Sequence, residues 1–257
     1  MTAAYDEAYR ANAGLDGKIR RRVARLLHRR PLARAPERPM LSMSFDDAPL
    51  TAAVTGAQIL EARGLRGTFY VSAGLAGAEI PMGRCAEPAD YRRLAEAGHE
   101  IGCHTFSHLD CGRASGAEAE AEVARNADLL AQWAQKPVES FAYPYGDVAP
   151  GPKAALARRY ATLRGLHHGM IEKGSDLNQA PAVGIEGEKG ESTARYWLAK
   201  ARAKTAWLIL YTHDVRPDPS PWGCTPQALA GILDDALAEG FQVMTVGEAA
   251  RTLGVTA

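Results

Sequence analysis

Residues 41–72, which set the fold, read LSMSFDDAPLTAAVTGAQILEARGLRGTFYVS. The apolar run 41–45 has strand character, 51–64 has helical composition and ends at a glycine, and 67–72 again resembles a strand. A strand, a helix and a second strand in this order form a βαβ unit, in which the two strands lie parallel.

The same alternation continues to the end of the chain. Further strands are predicted at 99–103, 139–143, 160–164, 182–186, 206–211 and 241–246, with helices at 88–98, 115–135, 150–160, 192–204 and 225–240. Seven or eight mainly parallel strands in one α/β domain of about 220 residues favour a (β/α) barrel over an open sheet. A doubly wound sheet stays open, but no G-x-G-x-x-G motif follows the first strand to support dinucleotide binding.

Composition excludes several classes of protein. The chain has 257 residues, of which 46% are hydrophobic, so it is not disordered overall. No apolar run is long enough to span a membrane, and the polar, acidic start is unlike a secretory signal. The 30 basic and 30 acidic residues balance, which gives no indication of a nucleic-acid partner. Four scattered cysteines fit reduced thiols, so we expect a cytoplasmic protein.

Residues 1–39 are predicted to be an N-terminal basic helical extension and linker, and 40–257 the barrel domain. Residues 17–30 read GKIRRRVARLLHRR, with apolar residues at helical spacing, and the proline-rich stretch 31–39 reads as a linker. Such a helix can lie on an anionic membrane surface, which would place the protein at the inner face of the membrane. Alternatively, it packs on the domain with its arginines in solvent.

Polar side chains follow four predicted strands, where a parallel barrel places its active site. The groups are Asp46 and Asp47, His104 and His108, residues 143–147, and His213 and Asp214. Each is common alone: an H-x3-H pair is usually not a metal site, and a DD pair is more often a helix cap or a turn. Their joint occurrence at strand ends indicates a site.

The stretch HTFSH (104–108) predicts a metal centre. Two histidines four residues apart lie on one face of a helical turn, and Asp47 would complete a set of three ligands with an open position, a catalytic zinc pattern. The metal would polarise a carbonyl and acidify water. Asp46 could then act as the base and His213 as the acid that protonates a leaving amine, which describes hydrolysis of an amide or ester.

A rival metal site uses the two nearby cysteines. Cys103, His104, His108 and Cys111 could bind a structural zinc ion, which would make the chain an interaction module. Four ligands within nine residues would form a cramped site, and Cys103 should point away from His104 along a strand. A buried core thiol is the alternative for Cys103.

These motifs resemble the polysaccharide deacetylases with a NodB-homology domain, carbohydrate esterase family 4. SFDDAP (44–49), HTFSH (104–108), FAYPYG (141–146) and LILYTH (208–213) follow the family's order and spacing, and the resemblance covers about residues 40–250. It implies a distorted (β/α) barrel of seven or eight strands and a zinc ion, sometimes cobalt or nickel.

The resemblance also implies roles for individual residues. Asp46 becomes the general base, His213 the general acid, and the backbone N–H of Tyr145 joins the metal in stabilising the oxyanion. The metal ligands become Asp47, His104 and His108. Candidate substrate-binding residues around the predicted mouth are Tyr143, Pro144, Gly146 and Trp222.

Two departures from the family pattern stand out. The third motif normally begins with an arginine that pairs with the catalytic aspartate, and here that position is Ala142. The fourth motif, whose aspartate tunes the catalytic histidine, is not recognisable. Arg164 and Asp176 are the candidate replacements, and a surface charge and a turn acid are the respective alternatives.

The sequence therefore predicts a metal-dependent hydrolase that removes an N-acetyl group from an amino sugar in a polysaccharide, oligosaccharide or carrier-linked sugar. Two alternatives remain. One is a deformylase or other deacylase acting on a lipid-linked sugar. The other is a non-catalytic carbohydrate-binding barrel, which the loss of the third-motif arginine favours.

Overall fold

The computed structural model describes residues 14–256. A curled sheet of parallel strands forms the centre, in the order β7-β6-β5-β2-β1-β9-β8, with β10 beside the start of β1. The strands are β1 (Met40–Asp46), β2 (Thr68–Val71), β3 (Glu79–Ile80), β4 (Gly83–Arg84), β5 (Glu100–Cys103), β6 (Ser140–Ala142), β7 (Thr162–Arg164), β8 (Val183–Gly184), β9 (Trp207–Thr212) and β10 (Gln242–Val243). β3 and β4 form a separate antiparallel hairpin that the sequence analysis did not predict.

Helices cover the outside of this sheet. They are α1 (Leu15–Leu26), α2 (Ala57–Glu61), α3 (Pro88–Glu96), α4 (Gly116–Ala134), α5 (Pro150–Leu156), α6 (Gly190–Lys204), α7 (Pro226–Ala238) and α8 (Val246–Thr252). The sequence predicts a last strand over 241–246, but β10 ends at Val243. Instead, Thr245 and Glu248 form a capping box that starts α8, because their side chains satisfy backbone N–H groups at the start of the helix.

The two edges of the sheet meet through the segment before β8. Ala180 forms a parallel bridge with Arg164 of β7, and Val183 then pairs with Leu210 of β9. The N–H of Ala180 donates to the Leu163 carbonyl at 2.8 Å. The predicted distorted barrel of parallel strands is therefore confirmed, and its seam is one short stretch of backbone.

Alternation along β1 decides which side chains face the barrel interior. Leu41, Met43 and Phe45 belong to the apolar cluster under the helices. The residues between them face the other way: the Ser44 hydroxyl donates to the Leu210 carbonyl, and the Trp207 indole N–H donates to Ser42. Since side chains of a strand point alternately to its two faces, Asp46 at the end of β1 lies on the interior side.

The chain before β1 packs against the barrel. Leu32 is buried in the same apolar cluster as Trp207, and the Arg30 guanidinium donates to the carbonyls of Tyr160 and Ala161 at 2.7 and 2.9 Å. Asp176 accepts the Arg30 backbone N–H at 2.8 Å. The predicted linker 31–39 is thus held to the domain rather than extended from it. Among the residues the structure describes, no helix is long and apolar enough to cross a membrane.

A buried ion pair anchors this segment. Lys153 of α5 is fully buried, and its ammonium lies 2.6 Å from Asp176 Oδ2 and 2.6 Å from the Ala24 carbonyl of α1. Removing one partner of such a pair leaves the other charge buried without its counterion.

We predict that Asp176→Ala lowers the free energy of unfolding by about 3 kcal/mol, because Lys153 then stays buried without a carboxylate. Urea denaturation of the variant, beside Glu37→Ala as a control on an exposed acid of the same segment, measures the effect. Equal stability of the two variants would contradict the anchoring role of the pair.

Candidate active site

The carboxyl ends of the parallel strands bring the predicted polar residues to one rim of the barrel. Asp46 ends β1 and Asp47 follows it, His104 and His108 follow β5, and His213 follows β9. The side chains of both aspartates and of His104 and His108 are almost completely buried. The rim is therefore a site of low solvent content, in which each charged or polar group needs a partner.

Asp47, His104 and His108 form a compact cluster of potential metal ligands. Asp47 Oδ1 lies 3.8 Å from His104 Nε2 and 3.5 Å from His108 Nε2, and one ligand atom of each residue lies within 4.8 Å of the others. His104 Nδ1 lies 2.8 Å from the Ala142 carbonyl, which selects the tautomer with the proton on Nδ1. That leaves Nε2 as an electron-pair donor facing Asp47.

Burial favours the neutral histidines that a metal needs. It lowers the pKa of His104 to about 4, against the opposing charges of Asp46 and Asp47. It also lowers the pKa of His108, against the charge of Asp47. Two neutral imidazoles and one carboxylate match the donor set of divalent metals such as zinc, so the three residues fit the expected ion.

The loop that carries the two histidines is not the helical turn that their spacing predicted. Thr105 and His108 have positive φ angles of 60°, which break a regular helix. The Glu122 carboxylate of α4 instead accepts the N–H groups of Phe106 and Ser107 at 3.0 and 2.7 Å. A side chain from α4 thus replaces the hydrogen bonds that a helical turn would have made.

Strained backbone is concentrated around this cluster. Asp47, Thr105, His108 and Tyr145 are non-glycine residues with φ between 57° and 60°. Such conformations cost free energy and persist where the surrounding structure enforces them, which is common at functional sites.

Arg164, the predicted substitute for the arginine missing from the third motif, lies beside Asp46. Its guanidinium is fully buried and forms an ion pair with the carboxylate of Asp46, and it also lies over the rings of Tyr70 and Tyr211. Burial opposes the charged form, but the charge and hydrogen bond of Asp46, together with Tyr70 and Tyr211, raise the pKa of Arg164. In the sheet, Arg164 is paired directly with Ala142, the position where the family has its arginine.

His213 has a carboxylate neighbour other than the predicted one. Its Nδ1 lies 3.1 Å from the Trp222 carbonyl and 3.7 Å from Glu186 Oε2. The Tyr211 hydroxyl donates to the other Glu186 oxygen at 2.9 Å and fixes that side chain. Asp176, predicted to tune the histidine, instead contacts Lys153, Arg30 and Asn178; this assignment is corrected because that carboxylate serves the anchor of the N-terminal segment.

Charge around His213 favours its protonated form. Burial by itself would lower the pKa of the imidazole, but the carboxylate of Glu186 and the negative charges of Asp46 and Asp47 raise it to about 9. The histidine is therefore a proton donor near neutral pH.

The loop that supplies the Trp222 carbonyl is folded around Asp214. This buried carboxylate accepts the Ser220 N–H at 2.9 Å and pairs with Arg216 at 2.8 Å. A side chain at Gly223 would overlap Asp214, so glycine is required there for the loop to close. Asp214 is thus a structural neighbour of the site.

The predicted substrate-binding residues divide into different environments. Tyr143 is fully buried and its hydroxyl donates to the Asn178 carbonyl, so its side chain is a core group and that prediction is corrected. Pro144 is also buried. Gly146 has φ +67°, where an added Cβ would overlap Leu166. Trp222 is half-buried against the cluster of the β3–β4 hairpin, which leaves part of its indole at the surface.

Tyr145 lies against the proposed metal cluster. Its ring is edge-on to the ring of His108, with a centroid separation of 4.5 Å. The turn is closed by the Gly146 N–H, which donates to the Tyr143 carbonyl. The position next to His108 is compatible with the oxyanion role predicted for the Tyr145 backbone N–H.

The cysteines do not join the metal cluster. Cys103 and Cys111 are buried in an apolar cluster with Phe141 and Tyr143, and burial raises the pKa of both thiols. Cys103 Sγ accepts a hydrogen bond from the Asn126 side chain at 3.1 Å. A buried thiol of this kind is a poor metal ligand, so the structure favours the core interpretation of Cys103.

The site combines a buried cluster of two histidines and one carboxylate with a second carboxylate and a protonated imidazole. These are the groups that a metal-dependent hydrolase needs. A family model for polysaccharide deacetylase matches residues 33–161, half of the chain, and the chain belongs to that family of carbohydrate-deacetylating hydrolases.

Individual relatives are similar to most of the chain, and the solved structures among them share its fold. The chitin deacetylase of Colletotrichum lindemuthianum is 25% identical over 224 residues, which is 85% of this chain and 82% of the relative. A solved putative polysaccharide deacetylase from Mycobacterium smegmatis has the same fold, with a TM-score of 0.68, 17% identity, and coverage of 88% of this chain and 95% of that one. A family 4 pseudoenzyme from Bacillus anthracis also matches, with a TM-score of 0.57, 15% identity, and coverage of 84% and 66%.

We predict that Glu186→Gln shifts the alkaline limb of the pH profile of kcat to lower pH. Without the carboxylate the pKa of His213 falls, so the protonated acid is lost at a lower pH. Steady-state rates across pH check this, with Glu188→Gln in the same loop as the matched control. An unchanged profile for Glu186→Gln, or an equal shift for Asp176→Asn, would contradict the assignment.

Proposed function

We propose that the protein removes the N-acetyl group from an N-acetylated amino sugar, using a divalent ion, most simply zinc, held by Asp47, His104 and His108. The proposal is carried by one observation: three ligand-type side chains lie within 4.8 Å of one another, and two other ionisable groups of opposite predicted function, Asp46 and His213, line the same rim. A bound divalent ion would act as a Lewis acid that polarises the acyl carbonyl and makes water more acidic.

Asp46 acts as the general base in this proposal. It occupies the interior side of the β1 end, and its carboxylate accepts a charge-assisted hydrogen bond from Arg164. The pair fixes one carboxylate oxygen and leaves the other available to take a proton from the attacking water. Arg164 therefore acts through Asp46, as a positioning residue.

His213 acts as the general acid. The Trp222 carbonyl at 3.1 Å and the Glu186 carboxylate at 3.7 Å lie on its Nδ1 side. A proton held on Nδ1 leaves Nε2–H as the group that can protonate the departing amine. The Glu186 carboxylate beside the imidazole raises the pKa of His213 and so favours the protonated form.

Charge that develops on the acyl oxygen needs a hydrogen-bond donor as well as the ion. The backbone N–H of Tyr145 is the donor we propose, because its turn is packed against His108 and held in a strained conformation. A donor fixed before the reaction stabilises the oxyanion without the cost of reorganising the loop.

A non-catalytic barrel was favoured by the absence of arginine at position 142. The ion pair of Asp46 with Arg164 removes that argument, because the cation is supplied by the residue that pairs with Ala142 across the sheet. The fold itself does not distinguish an active enzyme from a non-catalytic barrel, since a pseudoenzyme shares it.

We predict that Asp46→Asn retains the metal and loses activity by at least about a hundredfold, because the three proposed ligands are unchanged while the base, which is also the counterion of Arg164, is removed. Acetate release from N-acetylglucosamine oligomers gives the rate, and Asp128→Asn on the exposed side of α4 is the control. Wild-type turnover by Asp46→Asn would contradict its role as the base.

The ligand set is tested separately by elemental mass spectrometry. We expect Asp47→Ala and His104→Ala to lose bound metal and a Cys103→Ser/Cys111→Ser variant to keep it, because the cysteines lie in the apolar core. Loss of metal from the cysteine variant together with retention of metal by Asp47→Ala would instead indicate a structural zinc site.

A further inference from the structure

Helix α1 packs on the barrel through its small residues. Gly17 and Ala24 are buried, and the Ala24 carbonyl accepts a hydrogen bond from Lys153 of α5. Arg21, on the same side, contacts Asp147 at 3.3 Å. Residues 17, 21 and 24 lie on one face of a helix, so the direction of the opposite face is fixed.

That opposite face is exposed to solvent and carries three large apolar side chains. Leu15, Ile19 and Leu26 have exposures of 79%, 60% and 68%, and their spacing places them on one stripe of the helix. An amphipathic helix of a globular domain normally turns such a stripe toward the core. Here the sequence pattern that predicts burial faces outward, and we define this surface as the α1 stripe.

Basic side chains flank the α1 stripe. Lys18 and Arg25 are exposed along one edge, and Arg22 is exposed between Ile19 and Leu26; within the helix Asp16 is the single acidic residue. On the same edge, Arg25 and Arg29 line a shallow depression together with His168, from the loop after β7. The basic edge of α1 therefore continues to Arg29 at this depression, which Asp176 also lines.

We propose that the α1 stripe docks on an anionic lipid bilayer. Leu15, Ile19 and Leu26 would enter the boundary between headgroups and acyl chains, and the flanking Lys and Arg side chains would contact lipid phosphates. A second copy of the chain fits less well, because pairing two stripes would bring two basic edges together. The barrel stays outside the membrane and is held to it by one helix.

Vesicle co-sedimentation tests the proposal with the full-length protein. Wild type should sediment with vesicles rich in phosphatidylglycerol, should remain in solution with phosphatidylcholine alone, and should be released by high salt. Leu15→Ser/Ile19→Ser/Leu26→Ser should lower the partition coefficient by at least about tenfold, because three apolar side chains no longer enter the bilayer. Lys18→Gln/Arg22→Gln should weaken binding to the anionic vesicles as well.

Matched controls separate docking from general stickiness or unfolding. Tyr196→Ser/Leu237→Ser removes exposed apolar side chains from other helices, and Arg92→Gln/Arg158→Gln removes exposed charges elsewhere. Both should bind vesicles like wild type, and circular dichroism should be unchanged in every variant. The proposal is overturned if wild type does not bind, if the α1 variants bind equally well, or if light scattering shows that the α1 stripe instead forms a dimer.

Discussion

The buried ion pair between Asp46 and Arg164 is the constraint on which the rest of the site depends. The two residues end strands β1 and β7, which are separated in the sheet by β2, β5 and β6, so the sheet must curl for them to meet. A buried guanidinium or carboxylate without its partner is costly. The position of Asp46, the proposed base, therefore depends on the curvature of the barrel. Tyr70 and Tyr211 flank the guanidinium and exclude water from the pair.

The proposed metal site is built by loops that are held in place from outside. The Glu122 carboxylate of α4 holds the loop that carries both histidines by accepting its backbone N–H groups. The Ala142 carbonyl of β6 orients the ring of His104. The positive φ angles of Asp47 and His108 show that local preference is overridden there. Preorganised ligands of this kind reduce the entropy that metal binding must overcome, and depressed histidine pKa values keep them ready to coordinate.

The sequence predicted the chemical groups of the rim better than their partners. Parallel strands end at one rim, so a polar residue directly after an apolar run, such as Asp46 or His213, can be placed from the pattern alone. Glu186 ends a predicted strand and was overlooked, because its contact with His213 depends on the register of β8 against β9. Asp176 was proposed as the replacement for the missing fourth-motif aspartate. Its actual contact, with buried Lys153 23 residues away, cannot be read from the sequence pattern. The outward direction of α1 depends on the packing of Gly17 and Ala24, which hydrophobic periodicity does not detect.

The direct test of this account moves the arginine between the two strands. Ala142 and Arg164 are paired across neighbouring strands, so an arginine side chain at either position is attached to adjacent backbone. The measurement is kcat of Arg164→Ala and of Arg164→Ala/Ala142→Arg, with metal content and circular dichroism recorded for both. The account predicts a loss of at least about tenfold in the first variant and recovery of most of that loss in the second. A folded, metal-loaded double variant no more active than the single variant, or a fully active single variant, would contradict it.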